Sequence, residues 1–267
     1  MVSTTHFKHL LARIGVALAI LCGGPPMSAV AAEANIAVAA NFTAPMRVLV
    51  QQFSAQSPHT IRVVTGSTGK LYSQIFHGAP FDAFLSADQN TPARLTQNDL
   101  TVANSTFTYA EGRLIFWRPS GEHASDFAAD NNTPPWEAIK RGDFSHIAIA
   151  NPKLAPFGRA AVQALQRAGV YNAAQRALVY GESVTQAHQF VAAGAADAGF
   201  ISLSQVWQDG QLISGRGWLV PASWHDPIRQ DAVLLKQGAR NQAAIAFMAF
   251  LKTAAAKQTL AQFGYIE

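Results

Sequence analysis

Four short stretches of the chain carry residue types that can hold an anion without a fixed positive charge. They are Ala40-Asn41-Phe42-Thr43, Gly66-Ser67-Thr68-Gly69, Ala155-Pro156-Phe157-Gly158 and Gly181-Glu182-Ser183-Val184-Thr185. Each lies between a β-rich run and a helical pattern. The first N–H groups of a helix lack partners inside it and stand at the positive end of its dipole, so an anion placed there meets ready donors. Any one stretch has a plainer reading, because Ser, Thr and Asn are favoured helix N-caps and glycine is the common turn residue. It is the recurrence at four junctions that favours an anion. In an open α/β sheet such turns gather beyond the carboxyl ends of the strands, where ligands bind.

Other chemistries find less support. Gly66 to Lys70 (GSTGK) suggests a phosphate loop, but the full pattern needs glycine at Val64 and Ser or Thr at Leu71. Ser67 and Ser183 lie outside any G-x-S-x-G motif, and no partner histidine or aspartate is indicated. The histidines after the leader, His59, His77, His123, His146, His188 and His225, show no metal spacing such as H-E-x-x-H. His188 falls on the helix starting at Val184 and reads as a surface or packing residue. Asp82 and Asp88 flank DAFLS and read as caps at the strand ends. The five tryptophans form no stacking pattern and read as core or hinge residues.

Positioning the four stretches requires alternating strands and helices, and the chain supplies them. Asn35–Ala40, Thr60–Thr65 and Asp82–Ser86 read as strands, with helices over Ala44–Gln56 and Leu71–Phe76. The order continues with strand His146–Ala150, helices Gly158–Ala168 and Val184–Ala193, and strand Ala198–Ser202. A strand near Asp231–Leu235 and a helix near Gln242–Ala255 close the sequence. This alternation predicts an α/β fold with parallel sheets covered by helices. Two extended segments bordered by glycine or proline, Gly112–Arg118 and Pro221–Arg229, could carry the chain between two domains. Residues 33–113 with 227–267 would then form one lobe, and 114–226 the other.

The N-terminus decides which residues belong to that fold. Basic and polar residues (His6, Lys8, His9, Arg13) precede the apolar run Ile14–Cys22, and small residues follow through Ala32, the order of a cleavable secretory signal. The run is shorter than the ~20 residues a transmembrane helix needs, so no stable membrane anchor is expected. Cleavage after Ala32 would remove Cys22, the single cysteine, and exclude disulfides and thiolate metal sites from the mature chain. It would also remove Lys8 and Arg13 and no acid, lowering the formal charge of +4 by two. No basic run remains, which speaks against a nucleic-acid partner.

The stretches AVAANFT (37–43), GSTGKLYSQI (66–75), GAPFDAFLSADQ (78–89), APFGRAA (155–161) and ESVTQAHQFVAAGAADAGFIS (182–202) resemble the periplasmic molybdate-binding proteins of ABC importers. The likeness covers essentially the whole chain after the leader, and GAPFDAFLSADQ is its most specific mark. The resemblance implies the type II periplasmic-binding-protein fold: two lobes, each a mostly parallel sheet flanked by helices, closing on a ligand in the interlobe cleft. It implies a monomeric periplasmic receptor that captures molybdate or tungstate and delivers it to the membrane subunit of an ABC transporter, with no enzyme activity and no cofactor. Carried over by position, it assigns ligand contacts to Asn41, to Thr68 with Ser67 beside it, to Phe157 and to Val184. Asn41 and Thr68 would give side-chain and main-chain donors, Phe157 and Val184 backbone N–H groups alone. Molybdenum would thus be held as its oxyanion, with no residue ligating it directly as a metal ion.

At Ser202 some members place a tyrosine whose hydroxyl reaches the oxyanion. Ser202 is kept as the last candidate contact, although serine is too short to copy that of the tyrosine and Asn41 could supply the missing hydrogen bond. The alternatives are a receptor of the same fold for sulfate, phosphate, a phosphonate or a metal ion, and an exported hydrolase. A sensing module of a transcription regulator would carry a DNA-binding segment, whereas this sequence opens on a leader followed at once by a strand.

Overall fold

A computed structural model of the chain describes residues 31–120 and 133–266. The leader up to residue 30, Cys22 within it, and His123 lie outside the described residues.

Strand β1 (Glu33–Ala39) runs into a single 3-10 turn, Ala40–Phe42, and then α1 (Thr43–Ser54). Next come β2 (Thr60–Gly66), α2 (Thr68–Phe76), β3 (Ala83–Leu85), α3 (Asn90–Gln97), β4 (Phe107–Gly112) and β5 (Leu114–Arg118). The middle of the chain supplies α4 (Trp136–Arg141), β6 (Ile147–Ala150), α5 (Pro156–Arg167), α6 (Tyr171–Ala174), β7 (Leu178–Gly181), α7 (Val184–Ala192) and β8 (Ala198–Ser202). A small hairpin, β9 (Trp207–Gln208) and β10 (Gln211–Leu212), precedes β11 (Arg216–Leu219), β12 (Ile228–Leu234), α8 (Gln242–Phe250) and α9 (Ala254–Gln262).

Two five-stranded sheets result, ordered β2-β1-β3-β12-β4 and β11-β5-β8-β6-β7. The expected parallel arrangement holds for four strands of each, and one strand is reversed. In the first sheet β12 runs antiparallel to both β3 and β4. In the second, β5 runs antiparallel to both β8 and β11. The reversed strand is in each case the first one laid down after the chain changes sheets. Strand β4 ends on the same edge as β1 and β3, the chain passes through Arg113, and β5 enters the second sheet from that edge. Its direction follows from its point of arrival. The same holds for β12, reached from β11. Of the extended segment 112–118, only Arg113 lies between the two strands, and 114–118 is a fully buried core strand.

Alternation along β1 divides the first core. Ile36 and Val38 pack with Phe42, Met46, Leu49, Phe53 and Phe247, on the side of α1 and α8. Ala37 points to the opposite face with Leu71, Ile75, Phe84 and Leu95, against α2 and α3. A central strand buried on both faces carries small and β-branched residues because helices cover it on both sides. The second sheet holds its own core of Phe116, Ile147, Ile149, Leu165, Val191 and Phe200. Trp136, Trp218 and Trp224 meet beside this core, with Trp136 and Trp224 stacked at 5.2 Å and Trp218 edge-on to both. They form a stacked group that the sequence pattern does not predict. His188 packs edge-on to Trp117 at 5.0 Å, and its burial lowers its pKa.

Candidate functional site

The carboxyl ends of β1, β2, β6 and β7 each lead into one of the four predicted stretches. After β1 the 3-10 turn buries Asn41, which is 2% exposed. After β2, Ser67 takes the N-cap position of α2 in an extended conformation, with Thr68 as first helical residue. After β6, Ala155 caps α5, and Pro156 occupies a first-turn position where the missing N–H has no consequence. After β7, Ser183 caps α7, its hydroxyl accepting from Gln186 N at 3.2 Å.

Hydrogen bonds between the two sheet systems bring these ends together. Gly69 N donates to Leu154 O at 2.9 Å, joining the start of α2 to the loop before α5. Thr185 Oγ1 donates to Ala40 O at 3.0 Å, joining α7 to the turn that bears Asn41. Ser204 Oγ, just after β8, donates to Asn41 O at 2.8 Å. Two ion pairs span the same boundary, Lys70 with Glu182 at 2.8 Å and Arg159 with Asp88 at 2.7 Å. A polar cleft of about 410 Å³ opens beside them, lined in part by Thr65, Ser67, Lys70, Glu182, Thr185 and Gln186. Of the predicted site residues only Ser67 lines this cleft. Thr68, Phe157, Val184 and Ser202 are buried, at 3%, 1%, 3% and 0% exposure.

The local chemistry favours an acceptor guest. Ser67 is 3% exposed and its Oγ has no hydrogen-bond partner, although an N-cap serine ordinarily accepts from its own helix. A buried hydroxyl left in this way is destabilising unless something meets it. Thr68 Oγ1 accepts from Ala87 N at 3.3 Å, which leaves its own hydrogen to donate. The Phe157 ring tip lies near Gly112 at the chain crossing, while its backbone belongs to the first turn of α5. No group of three or more His, Cys, Asp or Glu among the described residues is placed to hold a metal ion.

Ser202 is bonded within its own turn. Its Oγ pairs with Ser204 Oγ at 2.8 Å and its N–H is taken by Gln205 Oε1 at 3.1 Å. Its hydroxyl reaches the Asn41 carbonyl only through Ser204.

The residues behind Asn41 escape sequence reasoning. Asn41 Nδ2 donates to Gln230 Oε1 at 2.8 Å and to Tyr265 OH at 2.9 Å. Tyr109 OH lies 3.0 Å from Ser86 O and 3.1 Å from Gln230 Oε1. Burial pushes the Tyr265 phenol up to about 12, against side-chain hydrogen bonds to Ser204 and from Asn41 that lower it. Burial likewise raises Tyr109 well above its usual value, helped by Tyr265 and Asp231. The cluster is therefore neutral at physiological pH. Gln230, between Arg229 and Asp231, carries no signal in the sequence that sets it apart from an ordinary strand-edge polar residue. Nothing marks a tyrosine so near the chain end. Asp82 and Asp88 serve as expected: Asp82 Oδ2 accepts from Asn35 N at 2.7 Å and Asp88 Oδ1 from Thr91 N at 2.9 Å. The Arg159 contact of Asp88 across the sheets was not foreseen.

The bacterial extracellular solute-binding protein family matches residues 34–266. The chain is similar to the molybdate-binding protein of Azotobacter vinelandii, with 46% identity covering 96% of this chain and 97% of that one. It is similar also to the molybdate-binding protein of Rhodobacter capsulatus, with 40% identity covering 98% and 99%. Among solved structures, the periplasmic molybdate-binding protein of A. vinelandii matches with a TM-score of 0.80 and 34% identity, over 88% of this chain and 99% of that chain.

Proposed function

The chain belongs to the bacterial extracellular solute-binding proteins, and from that premise we propose that it captures molybdate for an ABC importer where its four helix starts meet. It is a transport receptor and not an enzyme, and molybdate is its cargo rather than a cofactor. Tungstate, a dianion of the same shape, binds the same donors. Ser67 and Thr68 give hydroxyl hydrogens, Phe157 and Val184 backbone N–H groups, and Asn41 completes the ring. Ser202 supports Asn41 through Ser204 instead of touching the guest. Residues 33–113 with 227–267, and residues 114–226, act as lobes that part and close about Arg113 and the 220–227 segment. Residues 1–32 direct export to the periplasm and are removed. The mature monomer then delivers its anion to the membrane subunit of the importer.

The observation that carries this reading is the buried Ser67 hydroxyl without a partner, at a place where other helix starts converge. Molybdate is fully ionised at neutral pH and only accepts hydrogen bonds. Bonds to an ionised acceptor contribute about 1.5–3 kcal/mol each. About six of them suffice for nanomolar binding, roughly −12 kcal/mol, after the costs of association and closure.

Titration calorimetry of the mature chain with molybdate, tungstate, sulfate and phosphate tests the proposal. Molybdate and tungstate should release heat, and at about 100 times the dissociation constant they should add about 2.7 kcal/mol of stability. Tighter binding of sulfate or phosphate would reassign the ligand. Silence toward all four would overturn the oxyanion site.

A further inference from the structure

The hydrogen-bond count around Asn41 does not close as it stands. Both hydrogens of Asn41 Nδ2 are given to the protein, one to Gln230 Oε1 at 2.8 Å and one to Tyr265 OH at 2.9 Å. An acceptor-only guest would then gain nothing from this side chain. Gln230 meanwhile is 0% exposed, and its Nε2 has no partner. That nitrogen lies 2.7 Å from where a Cβ on Gly112 would stand, and the tip of the Phe157 ring is 2.8 Å from the same point. Two N–H groups thus point at a glycine and a phenyl edge, a costly arrangement in an interior.

A half-turn of both terminal amides eases the conflict with the side chains otherwise in place, because amide oxygen and nitrogen are nearly isosteric. After it, Gln230 Nε2 donates to Asn41 Oδ1 and to Tyr109 OH, across the same 2.8 and 3.1 Å separations. Tyr109 OH keeps Ser86 O as its own acceptor at 3.0 Å. Tyr265 OH turns its hydrogen to Asn41 Oδ1 at the present 2.9 Å, and Ser204 continues to hold Asn41 O. Gln230 Oε1 then faces Gly112 and the Phe157 ring tip in place of an amide nitrogen, a better match because the rim of an aromatic ring is electropositive. The two hydrogens of Asn41 are left for a guest to accept.

We propose that Gln230 is a positioning residue for the oxyanion: in the bound state it fixes Asn41 with its amide nitrogen toward the guest, so that this side chain meets the guest as a donor. This rests on the oxyanion reading of the site. Gly112 has a matching part, since a Cβ there would lie 2.7 Å from the Gln230 amide and displace it.

The test is a double-mutant cycle on the mature chain, read by molybdate calorimetry: wild type, Asn41→Ala, Gln230→Met and the double variant. Each single substitution should weaken molybdate binding about 10-fold or more, and the double variant should bind within about two-fold of Asn41→Ala alone. If Gln230→Met weakens binding equally with and without Asn41, Gln230 is merely structural and the proposal fails. Absence of molybdate binding by the wild type would instead remove the underlying reading. Should Gln230→Met not fold, NMR of the ¹⁵N-labelled wild type decides the point. On saturation with molybdate the side-chain NH₂ pairs of both Asn41 and Gln230 should shift, the Gln230 pair acquiring contacts to Tyr109. Unchanged Asn41 and Gln230 pairs would overturn the proposal.

Discussion

Gly69→Ala separates lobe closure from direct ligand contact. Gly69 is the second residue of α2, and its N–H donates to Leu154 O at 2.9 Å across the two sheet systems. A methyl group there would lie 3.2 Å from both the Cα and the carbonyl oxygen of Leu154, with Leu154 Cδ2 at 3.5 Å. The first two contacts are with backbone and cannot be relieved by a rotamer change, so the faces must part by a few tenths of an ångström. Overpacking of this kind costs typically about 1–3 kcal/mol. At 1.4 kcal/mol per decade, closure and hence molybdate affinity should fall about 5- to 150-fold.

Alanine is also the better helix former, by up to about 0.8–1 kcal/mol inside a helix and less in the first turn. That gain is present with the lobes apart or together and cancels from binding. Calorimetry of the ligand-free variant should therefore give an unchanged or raised Tm, while titration gives a raised Kd. The opposite pattern, a lowered Tm with Kd unchanged, would mean that Gly69 and Leu154 touch permanently. The closing motion would then have no support.

Three further outcomes are expected. Ser67→Ala, Thr68→Ala and Asn41→Ala should each weaken molybdate binding by about 1–3 kcal/mol; calorimetry that finds all three unchanged would remove the site while leaving the fold assignment intact. Lys70→Ala should slow anion capture and Glu182→Ala should speed it in stopped-flow at low salt, because the half-exposed pair stands at the cleft mouth. Neither should change stability by more than about 1 kcal/mol, and rates indifferent to salt would exclude an electrostatic cause. Tyr109 and Tyr265 have folded pKa values raised above the unfolded value near 10, so the folded state binds more protons than the unfolded state above that pH. Stability should be full below pH ~10 and lost as pH rises through about 12, and Tyr265→Phe should lessen that loss in alkaline denaturation curves.

Local chemistry made the four junctions legible. Asn, Ser and Gly at helix starts announce themselves within a few residues, and apolar runs mark β1, β6 and β8. Strands such as β7 and β11 carry no comparable run, and Tyr180 in β7 is half exposed. The cluster behind Asn41 was illegible for a different reason: its members lie 189 and 224 positions from Asn41 along the chain. Pairing over such distances is set by the sheet order, which places β12 between β3 and β4. The tryptophan group is equally non-local, with members on α4, on β11 and in the segment before β12.

The reversed strands connect topology to selectivity. Because each sheet reverses only the strand by which the chain arrives, every other strand ends on the side where the sheets face each other. In the proposed site the turns after β1, β2, β6 and β7 therefore supply donors from a rigid frame. Two cations near this frame, Lys70 and Arg159, are each paired with a carboxylate of the opposite sheet system. A free cation would attract any dianion, with little regard for its size. Neutral donors at fixed spacing discriminate. In the proposed site sulfate, with shorter bonds, would not reach all of them, and hydrogen phosphate would bring a proton that only hydroxyl oxygens, and no carboxylate, could accept. Unmet polar groups in a closed cleft then oppose binding of either. Charge at the rim governs how fast an anion arrives, and the uncharged donors within govern which anion stays.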